Sequence, residues 1–187
     1  MDTASNCPAD DQDQVEYLVD EGIKWARRGR GRSVTVVAME LDDLETLRTT
    51  LGPVGLSELF DVVRERLAQL QGVACARTGD AFVVVSKVPR SVFDASSLAD
   101  RMMRTIARGV VVDAFAISLA ASMGVVQSPN GISEAQVLLA DARVALEEAK
   151  LRGRGRIVVL SPEWLSFTLL GFESTMSSSF APPTVLL

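Results

Sequence analysis

The chain contains no histidine. That excludes Ser-His-Asp triads, imidazole metal clusters and imidazole acid–base work. Any chemistry must rest on carboxylates, Lys, Arg, hydroxyls, the single Tyr17, thiols or a bound metal. Cysteine is almost as scarce. Cys7 and Cys75 offer neither a metal-ligand spacing nor a disulfide framework, which fits a reduced, cytoplasmic setting. No apolar run approaches the ~18 residues needed to span a bilayer. The longest candidate, from Val110 to Val126, is interrupted by Asp113, Ser118, Ser122 and Gly124. A net charge of −5 over 187 residues supplies no basic field for nucleic acid. The first thirteen residues are polar and acidic, unlike a signal peptide. What remains is a globular balance, 48% hydrophobic and 23% charged, at a length suited to one domain.

Residues 1–11 read as a disordered leader, 12–161 as the domain and 162–187 as a partly disordered tail. Val15, Leu18, Val19, Ile23 and Ala26 form one stripe of a helix from Gln12 to Arg28. The arginines behind it, Arg27, Arg28, Arg30 and Arg32, suit a helix C-terminus and a solvated loop better than a phosphate or lipid site. Val34 to Leu41 is β-branched and apolar, the pattern of a buried strand. A short helical turn over 42–50 is broken by Gly52-Pro53. An amphipathic helix then carries Leu56, Leu59, Phe60, Val63, Leu67 and Leu70.

Val73–Ala76 and Phe82–Val88 are close enough to form an antiparallel hairpin across Arg77–Ala81. Asp94 is expected to cap a helix reaching Arg108. Residues 110–126 are β-rich, with a turn at Asp113. Ser133 and Gln136 form a capping-box pattern before Leu138, Leu139, Ala142, Ala145, Leu146 and Ala149, and Gly153 closes that helix. Ile157–Leu160 is a last strand. In the tail, Trp164, Leu165, Phe167, Leu169, Leu170 and Phe172 either pack back on the domain or form a partner-docking segment. The fold class is α/β: a single domain with a central, mostly antiparallel sheet of five or more strands flanked by helices.

Five motifs occur in one order. Ala140-Asp-Ala-Arg-Val-Ala-Leu-Glu-Glu-Ala-Lys-Leu-Arg-Gly-Arg-Gly-Arg156 resembles the ADxALYxAKxxGRNR stretch of GGDEF domains. Ser122-Met-Gly124 is similar to that family's SxG strand, and Arg77-Thr-Gly-Asp-Ala-Phe82 to its R-x-GGDEF hairpin. Glu40-Leu-Asp-Asp-Leu44 resembles the DxDxF that ends its first strand, followed by the expected glycine at Gly52. The tetrapeptide Gly-Asp-Ala-Phe also resembles the hairpin of class III nucleotide cyclases, a related palm-like fold. The resemblance implies a palm-like domain of cyclic-di-GMP synthesis. It implies Mg²⁺ at Glu40 and Asp80, with Asp80 as residual catalytic group, and nucleotide phosphates at Gly79, Lys150 and Arg154. The residues agree with such a site. Paired carboxylates suit a hard cation, and a glycine at the hairpin tip lets a nucleotide approach the backbone.

The same comparison shows losses. The metal-site Asp is Glu40, the signature Glu is Ala81, and the signature is either shortened to Thr78-Gly-Asp-Ala-Phe82 or lacks one glycine, depending on alignment. Arg48 stands in place of the guanine-reading Asn, and the second guanine reader falls near Ser57. Glu45 replaces a phosphate-side Lys. Neither the inhibitory RxxD nor the DxLTGLxNR motif is present. Groups that read a base contribute discrimination of up to ~10⁴-fold or more, and phosphoryl transfer rests on positioned charge. The expectation is a catalytically degenerate regulatory or scaffold domain in nucleotide second-messenger signalling, with a protein partner or a homodimer and no membrane insertion. The alternatives are a nucleotide-binding sensor using the retained phosphate-facing set, and an active cyclase of relaxed substrate choice.

Overall fold

Every second residue of the first strand faces the same way, and both of its faces are buried. In β1 (Arg32–Leu41), Val37, Met39 and Leu41 join one core, while Val34, Val36 and Ala38 join the other. This strand is the centre of the molecule. The computed structural model describes residues 12–89, 92–112, 115–160 and 185–186. The expected disordered leader and the Trp164–Phe172 segment lie outside the described residues, as does the expected turn at Asp113.

The elements follow as α1 (Gln12–Arg27), β1, α2 (Leu44–Ala68), β2 (Val73–Thr78), β3 (Ala81–Pro89), α3 (Val92–Ile106), β4 (Val110–Val112), β5 (Phe115–Ile117), β6 (Ala121–Pro129), α4 (Ala135–Leu151), β7 (Ile157–Leu160) and the two-residue β8 (Val185–Leu186). The sheet runs β2-β3-β1-β6-β7-β8. All its pairings are antiparallel except β6–β7, which α4 joins as a parallel crossover. The α/β class with a mostly antiparallel sheet is as expected. Helices α2 and α3 cover one face, and α1 and α4 the other.

Three local expectations are corrected. The helix α3 begins at Val92, so Asp94 stands inside its first turn rather than capping it. Ser133 does not cap α4: the N-cap is Glu134, without a side-chain hydrogen bond. Ser133 is instead held by Ser128, whose hydroxyl donates to the Ser133 hydroxyl and accepts from its backbone N–H. Gln136, the other half of the supposed box, donates to Glu16 on α1. The hairpin link is also shorter than expected. Thr78 pairs with Ala81, leaving a two-residue turn of Gly79 and Asp80. Gly79 has φ 58°, at the position where a type II′ hairpin wants glycine.

Two features position the site. Gly52, at φ 65° and ψ −177°, breaks α2 before Pro53, so the segment from Leu44 to Leu51 points differently from the rest of the helix. The other is the seat of α4. A Cβ added to Gly124 on β6 would meet Ala142 O and Leu146 N, both at 2.2 Å. Only a glycine lets α4 lie this close to the sheet.

Candidate functional site

The site forms where β1, the β2–β3 hairpin and the end of α4 meet. Glu40 shares the strand parity of Val34, Val36 and Ala38, so its side chain turns toward the α4 side of the sheet. There its Oε2 lies 2.6 Å from Lys150 Nζ, in the last turn of α4. Lys150 also binds Glu147 one turn back, at 2.9 Å. Both Glu40 and Lys150 are largely shielded, at 28% and 24% exposure. Burial alone would pull the Lys150 ammonium down. The hydrogen bonds from Glu40 and Glu147, together with their charges, outweigh it and hold the pKa above the ordinary lysine value. The stability this contributes is therefore full at neutral pH and is lost only as pH rises through that raised value.

The register places Glu40 opposite Ala81, next to the hairpin tip. At the tip, Arg48 Nη2 donates to both Asp80 oxygens, at 3.2 and 3.0 Å. Arg48 comes from the segment of α2 before the Gly52 break, and its Nε also lies 3.8 Å from Glu45. Arg77, one strand residue away from the tip, donates to Gly79 O and lies over the Phe60 ring at 4.8 Å. Phe60 in turn meets Phe82 edge to face, at 5.7 Å between centroids. The turn is thus tied into the α2 side of the core.

Asp42 fastens the third side. Its Oδ1 accepts from the Ser122 hydroxyl at 2.7 Å, and its Oδ2 from the Gly155 backbone N–H at 2.8 Å. This clamps β1 to β6 and to the loop that follows α4. Arg154 stands in that loop, past the helix end, with a left-handed φ of 59°. Its guanidinium is 3.5 Å from Asp43. Lys150 and Arg154, expected to reach one point together, therefore address different carboxylates.

The sequence-derived residues Glu40, Gly79, Asp80, Lys150 and Arg154 do gather at one end of the sheet. They arrive already paired. The residues missed were Arg48 as a partner of Asp80, and Asp42 as the clamp. The signal for Asp42 was its place in Glu40-Leu-Asp-Asp-Leu44. Nothing local marks Arg48, whose partner is 32 residues away. The expected Mg²⁺ site does not fit this donor set. Glu40 is held by Lys150, Asp80 is held by Arg48, and Ala81 offers no oxygen ligand. No group of three or more Cys, Asp or Glu side chains among the described residues is placed to hold a metal.

One carboxylate elsewhere on α4 is out of balance. Asp141 Oδ2 on α4 is buried and finds no hydrogen-bond partner among the described residues, and burial raises its pKa. A raised carboxyl favours folding below the ordinary Asp value and loses that contribution as pH rises through the raised one, so at neutral pH its ionised form opposes folding. Asp141→Asn is expected to gain in stability relative to wild type as pH rises from 3 to 7, because the neutral amide removes the charge that burial penalises. Urea midpoints at the two pH values check it. An equal gain at both would point to a cause other than ionisation.

The family described as "Diguanylate cyclase, GGDEF domain" matches residues 14–156. Among curated proteins, the cyclic di-GMP phosphodiesterase NbdA of Pseudomonas aeruginosa is 27% identical over 141 residues, which is 74% of this chain and 18% of NbdA. The bifunctional diguanylate cyclase/cyclic di-GMP phosphodiesterase MucR of the same organism is 25% identical over 146 residues, 76% of this chain and 20% of MucR. The chain thus spans about a fifth of the length of these relatives. Among solved structures, the GGDEF domain of YfiN (or TpbB) from Pseudomonas aeruginosa superposes with a TM-score of 0.72 at 21% identity, covering 82% of this chain and 96% of that one. A sensory box/GGDEF family protein from Caulobacter crescentus gives a TM-score of 0.69 at 25% identity, covering 76% and 93%.

Proposed function

The chain belongs to the diguanylate cyclase GGDEF-domain family, and from that premise we propose that it works as a regulatory or scaffold domain in cyclic-di-GMP signalling rather than as a cyclase. The observation that carries this reading is the internal pairing of both candidate metal carboxylates, Glu40 with Lys150 and Asp80 with Arg48. Phosphoryl transfer in such a site is positioning and charge neutralisation. Here Glu40 and the lysine that would meet phosphate neutralise each other, and Asp80 is neutralised by Arg48. Ala81 removes a further acid from the signature, and Arg48 displaces the base-reading amide that the resemblance implies.

The partner on this reading is a protein, either a second copy or another component of the signalling system, and the setting is the cytoplasm. No helix among the described residues is long and apolar enough to cross a membrane. Isothermal titration of GTP and ATP in Mg²⁺ tests the reading. The expected result is no saturable binding up to millimolar nucleotide. Mg²⁺-dependent binding that Lys150→Ala and Arg154→Ala weaken would overturn it in favour of a nucleotide sensor. Arg154 is the most available residue for that role, being 56% exposed and only loosely paired with Asp43.

A further inference from the structure

Part of the misfit between the donor set and a divalent ion, the part at the hairpin tip, has its own cause in this chain. A carboxylate at the tip of a two-residue turn is the best-presented oxygen ligand of the site, and Asp80 occupies that position. Both of its oxygens are engaged by a single nitrogen of Arg48. Arg48 is delivered there by backbone geometry. The Gly52 break turns the segment from Leu44 to Leu51 independently of the rest of α2, and Leu51 anchors that segment in the core. Glu45, one turn before Arg48, lies close enough to its Nε to steady the guanidinium.

We propose that Arg48 is the resident cation of this site: its guanidinium occupies the Asp80 carboxylate in the place of a divalent metal and keeps the hairpin tip closed to one. The inference rests on the reading above that this end of the sheet is the family's site. A unit positive charge ~4 Å from a divalent ion lowers its affinity roughly thirtyfold even at the dielectric of water, before any competition for the carboxylate oxygens is counted. The pair is about half exposed on both sides, at 45% and 46%. It therefore adds little to folding, and Arg48 can be replaced without losing the fold.

The test is Mn²⁺ binding followed by electron paramagnetic resonance, with no nucleotide present. Wild type and Asp80→Asn are expected to bind Mn²⁺ alike. Arg48→Asn and Arg48→Gln are expected to bind it at least tenfold more tightly than wild type, and adding Asp80→Asn to either should cancel the gain. Far-UV circular dichroism of each variant confirms the fold. The proposal is overturned if Asp80→Asn weakens Mn²⁺ binding in wild type. It is equally overturned if both folded Arg48 variants bind no better than wild type. Failure here is distinct from failure of the regulatory reading. Asp80-dependent Mn²⁺ binding without any dinucleotide product would sink only the Arg48 proposal. Dinucleotide synthesis with Mn²⁺ binding indifferent to Asp80 would sink only the regulatory one.

Discussion

Replacing Phe82 by alanine is expected to destabilise the fold by about 3–5 kcal/mol. Phe82 is fully buried in the core between the sheet and α2–α3. Truncation removes its buried area and leaves a cavity that the neighbouring strands cannot close, because β3 is paired on both edges. It also removes the edge-to-face partner of Phe60, and Phe60 is the ring over which Arg77 lies. The loss should therefore be felt at the hairpin tip as well as in the global transition. In a chain of this size each kcal/mol lowers the melting temperature by ~2–4 °C. A thermal melt of Phe82→Ala should fall by ~6–20 °C. A shift under ~3 °C would mean that this aromatic does not organise the core.

Gly124→Ala is expected to destabilise by about 3 kcal/mol despite adding one methyl group. The new Cβ would stand 2.2 Å from Ala142 O and Leu146 N and 2.7 Å from Ala145 C. All three are backbone atoms of α4, so no side chain can rotate away. Relief requires α4 to lift from β6 as a body. Lys150 sits in the last turn of that helix, so lifting it also disturbs the Glu40–Lys150 pair. Chemical denaturation measures the loss. A second readout is local: amide hydrogen exchange in α4 should rise more than in α3, which packs on the opposite face. Equal rises would show that α4 is not the element displaced.

The parts of the fold that could be read in the sequence are those set by local periodicity. The stripe Val15, Val19, Ile23 and Ala26 is the buried face of α1, and the β-branched run of β1 is buried on both sides. The Gly52-Pro53 break and the hairpin around Gly79 were legible because glycine and proline act through their own backbone. Helix caps were not. Ser133 has the right chemistry for an N-cap, yet Ser128, five residues earlier, takes its hydroxyl and its N–H. Gln136 bonds Glu16, 120 residues away, a tertiary partner that no window of sequence contains.

The site follows the same division. The glycine and carboxylates at strand ends were visible by type and spacing. Their pairing was not, because it depends on which face each strand residue presents and on where α4 ends. Glu40 meets Lys150 through strand parity, and Asp80 meets Arg48 through the break in α2. Gly124 could be noticed in Ser122-Met-Gly124, but its reason, the backbone of α4 against the strand, exists only in three dimensions.

On the proposed reading, the paired carboxylates leave this GGDEF domain without cyclase chemistry. Incubating the chain with GTP and Mg²⁺ and resolving the mixture by chromatography tests it most directly. GTP should be recovered intact, with no linear or cyclic dinucleotide. Cyclic-di-GMP that appears with wild type and disappears with Asp80→Asn would contradict the account.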